Sequence, residues 1–275
     1  MKKILLALVM ALFIAPASGL AAEKIVVGVT PFPHKDIMEV VKPILAEKGY
    51  ELEIKEFSDY VQPNMALSEG QLDANFFQHQ PYLDNMNKEK NLGLTSVAMI
   101  HVEPLGLYSI KIDGLKDLEP GDFEGKLALL IPLLNADAKI SVPNDPTNGA
   151  RALRLLEAHG IIKLKEGELV TARDIIENPY NVKIVELDAA QLPRTLDDVL
   201  ASVINSNFAG QAGFVPSRDA IVMEDKDSPY ANVIAVREAD QDSDKIKALV
   251  EASQSDQVRE FIIKDLEPKG ILPSF

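Results

Sequence analysis

The 275-residue chain has no cysteine. Disulfides, thiolate nucleophiles and cysteine-ligated metals are therefore excluded. Positive charge is scarce: 28 lysines and arginines stand against 42 acids, a net charge of −14. That balance disfavours nucleic acid and anionic membrane surfaces, whose phosphates would be repelled. Simple solubility accounts for most of the acidity. The apolar run near the start, Ile4 to Ala15, stops at 12 residues, short of the roughly 20 that span a bilayer. The four histidines, His34, His79, His101 and His159, are scattered without a close pair or His-rich loop. No HExxH or GxSxG string is present, which weighs against zinc hydrolysis and the serine-nucleophile elbow. Acids are plentiful, so a catalytic carboxylate pair stays open. No internal repeat or low-complexity tract interrupts a composition that is 47% hydrophobic, enough for a core in two ordinary domains.

Residues 1–22 read as a secretory signal. Lys2 and Lys3 supply the basic start, the apolar run follows, and Pro16 to Ala22 is a small-residue tail. Its removal takes two lysines and no acids, moving the charge from −14 to −16. Leu20-Ala21-Ala22-Glu23 resembles the end of a bacterial lipoprotein signal with Glu in the place of the lipidated cysteine. The expectation is a freely soluble periplasmic protein without a lipid anchor.

The stretch Lys139 to Glu157 organises the rest. Ile140 to Val142 predicts a buried strand, Asn144 to Gly149 a break, and a helix follows from Ala150 with Leu153 and Leu156 on one face. Free N–H groups where a strand's carboxyl end meets a helix amino terminus favour an anion. Arg151 then falls in the first helical turn, where a cation calls for a negative partner. We read this as a receptor for a small carboxylate. The plainer reading caps the helix with Thr147 or Asn148 and points Arg151 to water.

Along the chain, Lys24–Val29, Glu51–Phe57 and Leu72–Phe77 predict strands alternating with helices, the pattern of an α/β fold. Phe77, His79 and Tyr82 fall on a strand-to-helix corner that shares a rim with Tyr60, as in a pocket wall; taken singly, each reads more readily as structural, Phe77 as core, Tyr82 on a helix flank and His79 as a cap. Leu94–Ser109 is extended and broken by Pro104, as in a segment crossing between lobes. Leu115–Ala138 reads as either an extra strand or a short docked helix. Thr171–Glu177 starts a helix, Thr195–Val199 forms another, and Leu200–Ile204 is a strand ending at Asn205. Asn232 opens the strand that recrosses to the first lobe.

Several strings point the same way: SDYVQPN (58–64), DANFFQHQPYL (73–83), EPLGLYS (103–109), PNDPTNGARAL (143–153), ELDAAQLPRTLDD (186–198) and SPYAN (228–232). Together they closely resemble the methionine-binding lipoprotein family, the substrate-binding components of methionine ABC importers, over residues 24–275. The resemblance implies a two-lobed, type II-like periplasmic binding protein: residues 23–108 plus 230–275 as lobe 1, 109–229 as lobe 2, and the ligand between them. It implies aromatic rings and a histidine around a thioether at Tyr60, Phe77, His79 and Tyr82, a carboxylate salt bridge from Arg151, and amide contacts from Asn205 and Asn232. It also implies an ABC permease and its ATPase as partners, no cofactor or metal, no catalysis and a monomeric protein. Two departures stand out: the family's lipidated cysteine is missing, and residues 119–137 look like an insertion into the second lobe. Other amino acids, a methionyl peptide or another sulfur compound remain alternative ligands, and metal binding or catalysis remain less favoured functions.

Overall fold

The computed structural model describes residues 22–225 and 229–275. The predicted signal lies outside them, except Ala22. Thirteen strands follow in order among these residues: β1 (Glu23–Val29), β2 (Tyr50–Glu56), β3 (Ala74–His79), β4 (Leu94–Val102), β5 (Gly106–Tyr108), β6 (Lys139–Pro143), β7 (Lys163–Leu164), β8 (Ile175–Glu177), β9 (Lys183–Leu187), β10 (Ala201–Ile204), β11 (Val222–Met223), β12 (Ala231–Arg237) and β13 (Leu272–Pro273). The helices that frame the site are α1 (Asp36–Glu47), α2 (Gln62–Ser68), α3 (Gln80–Lys90), α4 (Phe123–Leu130) and α5 (Pro146–Ala158).

The strands make two main sheets. The first has the order β13-β4-β12-β3-β1-β2 and the second β11-β5-β10-β6-β9; β7 and β8 pair separately. In the first sheet β1 lies parallel to β2 and β3, and β12 runs antiparallel to β3 and β4. In the second, β6 is parallel to β9 and β10, while β5 is antiparallel to β10. Apolar stretches such as Ile25–Val29 sit in the sheet interior because helices cover both faces. Each sheet has its own buried cluster, one around Ile25, Val41, Phe76 and Leu249, the other around Leu107, Ile140, Leu153 and Val203. Separate cores let the lobes move as bodies.

The chain crosses between the sheets twice, between β4 and β5 and between β11 and β12. The first crossing comes earlier than the sequence boundary of 108. Gly106–Tyr108 pairs with Ile204–Ser202 of β10, so β5 belongs to the second sheet and the turn at Pro104, rather than the end of the extended run, separates the lobes.

Three further expectations change, and one open alternative is settled. Helix α5 begins at Pro146, so Arg151 stands in its second turn. Proline suits a helix's first turn, where its missing N–H is not needed, and that advances the start by four residues. Residues 171–177 form a short 3-10 turn at Ala172–Asp174 and then β8, since pairing with β7 supplies the backbone partners a helix would have used. The short helix expected at 195–199 ends where it was to begin, spanning Leu192–Thr195. Of the two readings of residues 115–138, the docked helix is found. Helix α4 is capped by Asp122, whose carboxylate accepts from Gly125 N–H at 2.9 Å. Its Leu130 is fully buried in the second lobe's core, and Lys126 Nζ donates to the carbonyls of Arg218 and Ala220.

Candidate functional site

Strand ends and helix starts converge between the lobes. The carboxyl ends of β3, β6 and β10 carry His79, Pro143 and Ile204, and in open α/β sheets that edge is where ligands bind. Gly149 allows α5 to press against its strand: a Cβ there would lie 2.9 Å from the carbonyl oxygen of Pro143.

The amino terminus of α5 is not left open for an external anion. Asp145 is its cap, accepting from Asn148 N–H at 2.9 Å. Neither Thr147 nor Asn148 is the cap. Asn148 is instead a hub. Its Nδ2 donates to both oxygens of Asp145, and its Oδ1 accepts from Arg151 Nη1 at 3.1 Å and Asn205 Nδ2 at 3.0 Å. His79 completes it from the first lobe, 3.1 Å away through Nε2. His79 Nδ1 accepts from Tyr82 N–H, so Nε2 carries the hydrogen and donates. Burial, and after it the Arg151 charge, push His79 down to about 3.

Arg151 is buried and its charge is matched. Nε and Nη2 grip Glu224 at 3.0 and 2.5 Å, Nη2 also reaches the carbonyl of Glu103 at 3.3 Å, and the guanidinium lies 4.0 Å from the centre of the Tyr230 ring. The negative partner that a cation early in a helix demands is therefore, in part, the chain's own Glu224.

A small buried cavity brings the predicted residues together. The first lobe contributes Tyr60, Phe77 and Asn232, and the second Arg151, Asn205, Ser206 and Asn207; Glu103, on the first crossing, completes the wall. The space is about 20 Å³, room for about one water molecule, because the lobes already touch. Tyr60 Oη donates to Asn207 Oδ1 at 2.6 Å, and its ring lies 4.9 Å from that of Phe208. Phe77 and Tyr82 flank Tyr60 at 5.9 Å on the other side. A groove of about 930 Å³ is also lined in part by Arg151, but the smaller cavity holds the convergent polar groups, so size does not pick out the site.

Of the seven predicted site residues, Tyr60, Phe77, Arg151, Asn205 and Asn232 line this cavity. His79 and Tyr82 stand one layer behind: His79 holds Asn148, and Tyr82 Oη donates to the Tyr60 carbonyl at 3.0 Å. Asn205 occupies the cap position of the short helix Ser206–Gln211 but makes no side-chain cap bond; its Nδ2 goes to Asn148 instead. Sequence reasoning passed over Glu103, Asn148, Asn207 and Glu224. Glu103 and Asn148 lay inside strings already singled out, but nothing local distinguishes them from a loop acid and a cap.

Two amide atoms of this wall, Asn205 Oδ1 and Asn207 Nδ2, are buried and have no hydrogen-bond partner among the described residues. Buried polar atoms are seldom left so. One is an acceptor and the other a donor. Glu103 is pushed up by burial, against which His34, Arg151 and the Asn207 N–H pull it down. His34, His101 and Glu103 also form a cluster with the donor types of a zinc site. The His101 Nε2 to Glu103 Oε1 separation is 2.7 Å, a hydrogen bond, whereas two ligands about 2.0 Å from one tetrahedral zinc stand roughly 3.3 Å apart. The geometry is that of a hydrogen-bonded cluster.

A family model described as NlpA lipoprotein matches residues 25–275. The D-methionine-binding lipoprotein MetQ of Salmonella typhi is 46% identical over 239 residues, covering 85% of this chain and 82% of its own. The protein of that name from Escherichia coli K12 is 44% identical with the same coverage. Among solved structures, a nutrient-binding protein from Burkholderia cenocepacia bound to methionine is 46% identical, with a TM-score of 0.80 over 91% of this chain and 100% of its own.

Proposed function

The chain belongs to the NlpA lipoprotein family, and from that premise we propose that it binds methionine between its lobes and delivers it to the permease of an ATP-driven importer. One observation carries the reading: a guanidinium, a carboxylate and two unpartnered amide atoms surround a single buried cavity walled by Tyr60 and Phe77. These are the complements of a zwitterion with an apolar tail. The amino acid's carboxylate meets Arg151 and Asn207 Nδ2. Its ammonium lies between Glu103 and Asn205 Oδ1, with Asn232 beside it. The thioether packs on the rings of Tyr60 and Phe77, worth about 0.3–1.5 kcal/mol per contact. His79 and Tyr82 act through Asn148 and Tyr60.

Because the cavity is walled from both lobes, a guest enters only when they part, and its contacts with both then favour closure. The bond from Tyr60 to Asn207 spans the same gap, so it opens with the cleft. The relatives' names describe binding proteins, and no catalytic step is proposed. With no cysteine to carry a thioether-linked lipid, the protein acts as a free, monomeric periplasmic carrier, although its relatives are named lipoproteins.

Native mass spectrometry of protein purified from cells, followed by a thermal-shift panel of amino acids and methionyl peptides, tests this. Methionine at 100 times its Kd adds about 2.7 kcal/mol of stability. A panel in which a different amino acid or a peptide gives the largest shift, and methionine none, refutes the assignment.

A further inference from the structure

Two histidines converge on one buried carboxylate at the junction of the lobes. His101 Nε2 lies 2.7 Å from Glu103 Oε1, and His34 Nε2 lies 3.2 Å from the same oxygen. All three side chains are buried. His34 Nε2 also faces Asn232 Oδ1 at 3.0 Å, and its Nδ1 contacts the Thr30 hydroxyl at 2.7 Å. Two acceptors in front of Nε2 fix its hydrogen there, and the hydroxyl donates to Nδ1. The Phe76 ring meets both imidazoles edge-on, at 4.7 and 5.3 Å, so neither can swing away. Glu103 lies on the first crossing and Asn232 opens the strand after the second, so His34 ties the two crossings together.

We propose that His34 and His101 are positioning residues that keep Glu103 ionised and aimed at the ammonium of the bound amino acid, and so make affinity depend on pH. This rests on the reading of Glu103 as the ammonium's partner. A buried carboxylate without donors takes up a proton. Here the His101 N–H donates to it at 2.7 Å in place of water, and His34, whose Nε2 hydrogen bonds to Asn232 Oδ1, stands 3.2 Å from the same oxygen. Burial holds His34 down at about 4 and His101 at about 3, so both stay neutral donors while Glu103, pushed up by the same burial, is the group that changes charge. The other groups facing it are the Arg151 guanidinium, the Asn207 N–H and the Tyr60 hydroxyl, the last held protonated by burial. As the pH falls, Glu103 gains a proton, the ammonium loses its counter-charge and binding weakens.

The test is calorimetry from pH 5 to 8 on the exported protein and its His101→Leu and His101→Gln variants. The probes are methionine and its des-amino analogue, 4-(methylthio)butanoate. Methionine affinity should fall on acidification of the wild type. His101→Leu should move that midpoint up by at least half a pH unit and weaken binding at pH 7 about tenfold. His101→Gln, whose amide N–H can reach the same oxygen, should restore the midpoint, and the analogue should be nearly insensitive to either change. A His101→Leu protein with a lowered Tm but an unmoved midpoint overturns the proposal. Should that variant fail to fold, His34→Leu must shift the midpoint in the same direction or the proposal falls. Equal affinity of the wild type for analogue and methionine would instead refute the ammonium reading of Glu103.

Discussion

Replacing Arg151 by alanine tests the carboxylate half of the site, but the structure shows why the single variant misleads. Four of the five guanidinium hydrogens are engaged: Nε and Nη2 with Glu224, Nη2 again with the Glu103 carbonyl, and one from Nη1 with Asn148. Removing them leaves Glu224, only 13% exposed, with the Leu105 N–H as its remaining donor, and breaking a buried pair costs about 3–5 kcal/mol. Folding stability falls before any ligand is added. The clean comparison is Arg151→Ala/Glu224→Gln against Glu224→Gln alone, because glutamine fills the same space without leaving a buried charge. A desolvated charge contact with the guest is worth about 2–5 kcal/mol, so methionine affinity should drop by about 30-fold to several thousandfold between these two proteins. Calorimetry with ligand-free protein reads this directly. The Glu224→Gln single variant should bind methionine at least as tightly as the wild type, since Arg151 then offers the guest an uncompensated charge. A folded double variant within threefold of Glu224→Gln would show that Arg151 serves Glu224 and not the ligand.

Tyr60→Phe removes the hydroxyl bridge to Asn207 across the cleft; it should weaken closure by about 0.5–1.5 kcal/mol, read as a larger radius of gyration in small-angle scattering, and an unchanged radius with unchanged affinity would refute it. Gly149→Ala should lower Tm, because its Cβ meets the Pro143 carbonyl at 2.9 Å where backbone cannot yield cheaply; a Tm equal to or above the wild type would show that α5 can shift. Lys126→Met should destabilise by about 1–3 kcal/mol in urea, since the carbonyls of Arg218 and Ala220 lose their donor, and no loss would mean that water replaces it. Acid should also destabilise the fold. His34, His79 and His101 stay neutral when folded down to about 4, 3 and 3, whereas unfolded histidine takes up a proton near 6.5. The stability they contribute is complete above about 6.5 and is lost as the pH falls, by up to about 1.4 kcal/mol per unit for each. Glu103 and Asp145, raised by burial, work in the opposite sense and make the loss shallower. Urea unfolding that is as stable at pH 5 as at pH 7 would contradict the histidine contribution.

What the sequence disclosed and what it hid divide along a physical line. Continuous apolar runs such as Ile25–Val29 and Ala201–Ile204 announce buried strands through their own composition, and the two-lobe architecture follows from their alternation with helices. The crossing lies near Pro104 rather than after residue 108 because β5 is three residues long and owes its lobe to pairing with β10, nearly a hundred positions away. Arg151 was legible as a cation needing an anion, but its second-turn position hid behind Pro146, and the nearest anion proved to be Glu224 across 73 positions. The same holds for His34 and His101. Separated by 67 positions, they show no metal-ligand or relay spacing, and only the antiparallel pairing of β12 with β4, which sets Asn232 opposite His101, brings Glu103, Asn232 and both imidazoles to one point. Local pattern reveals what a residue type does to its own backbone; the charge balance of a buried site depends on pairs that sheet register alone creates. For this chain the consequence is specific. The cationic end of the cavity is neutralised in part by Glu224, and the anionic end is a carboxylate that burial drives towards its neutral form, so on the proposed reading the hold on a guest's two charges depends on Glu224 and on the donors of Glu103, while the choice among amino acids falls to the rings of Tyr60 and Phe77.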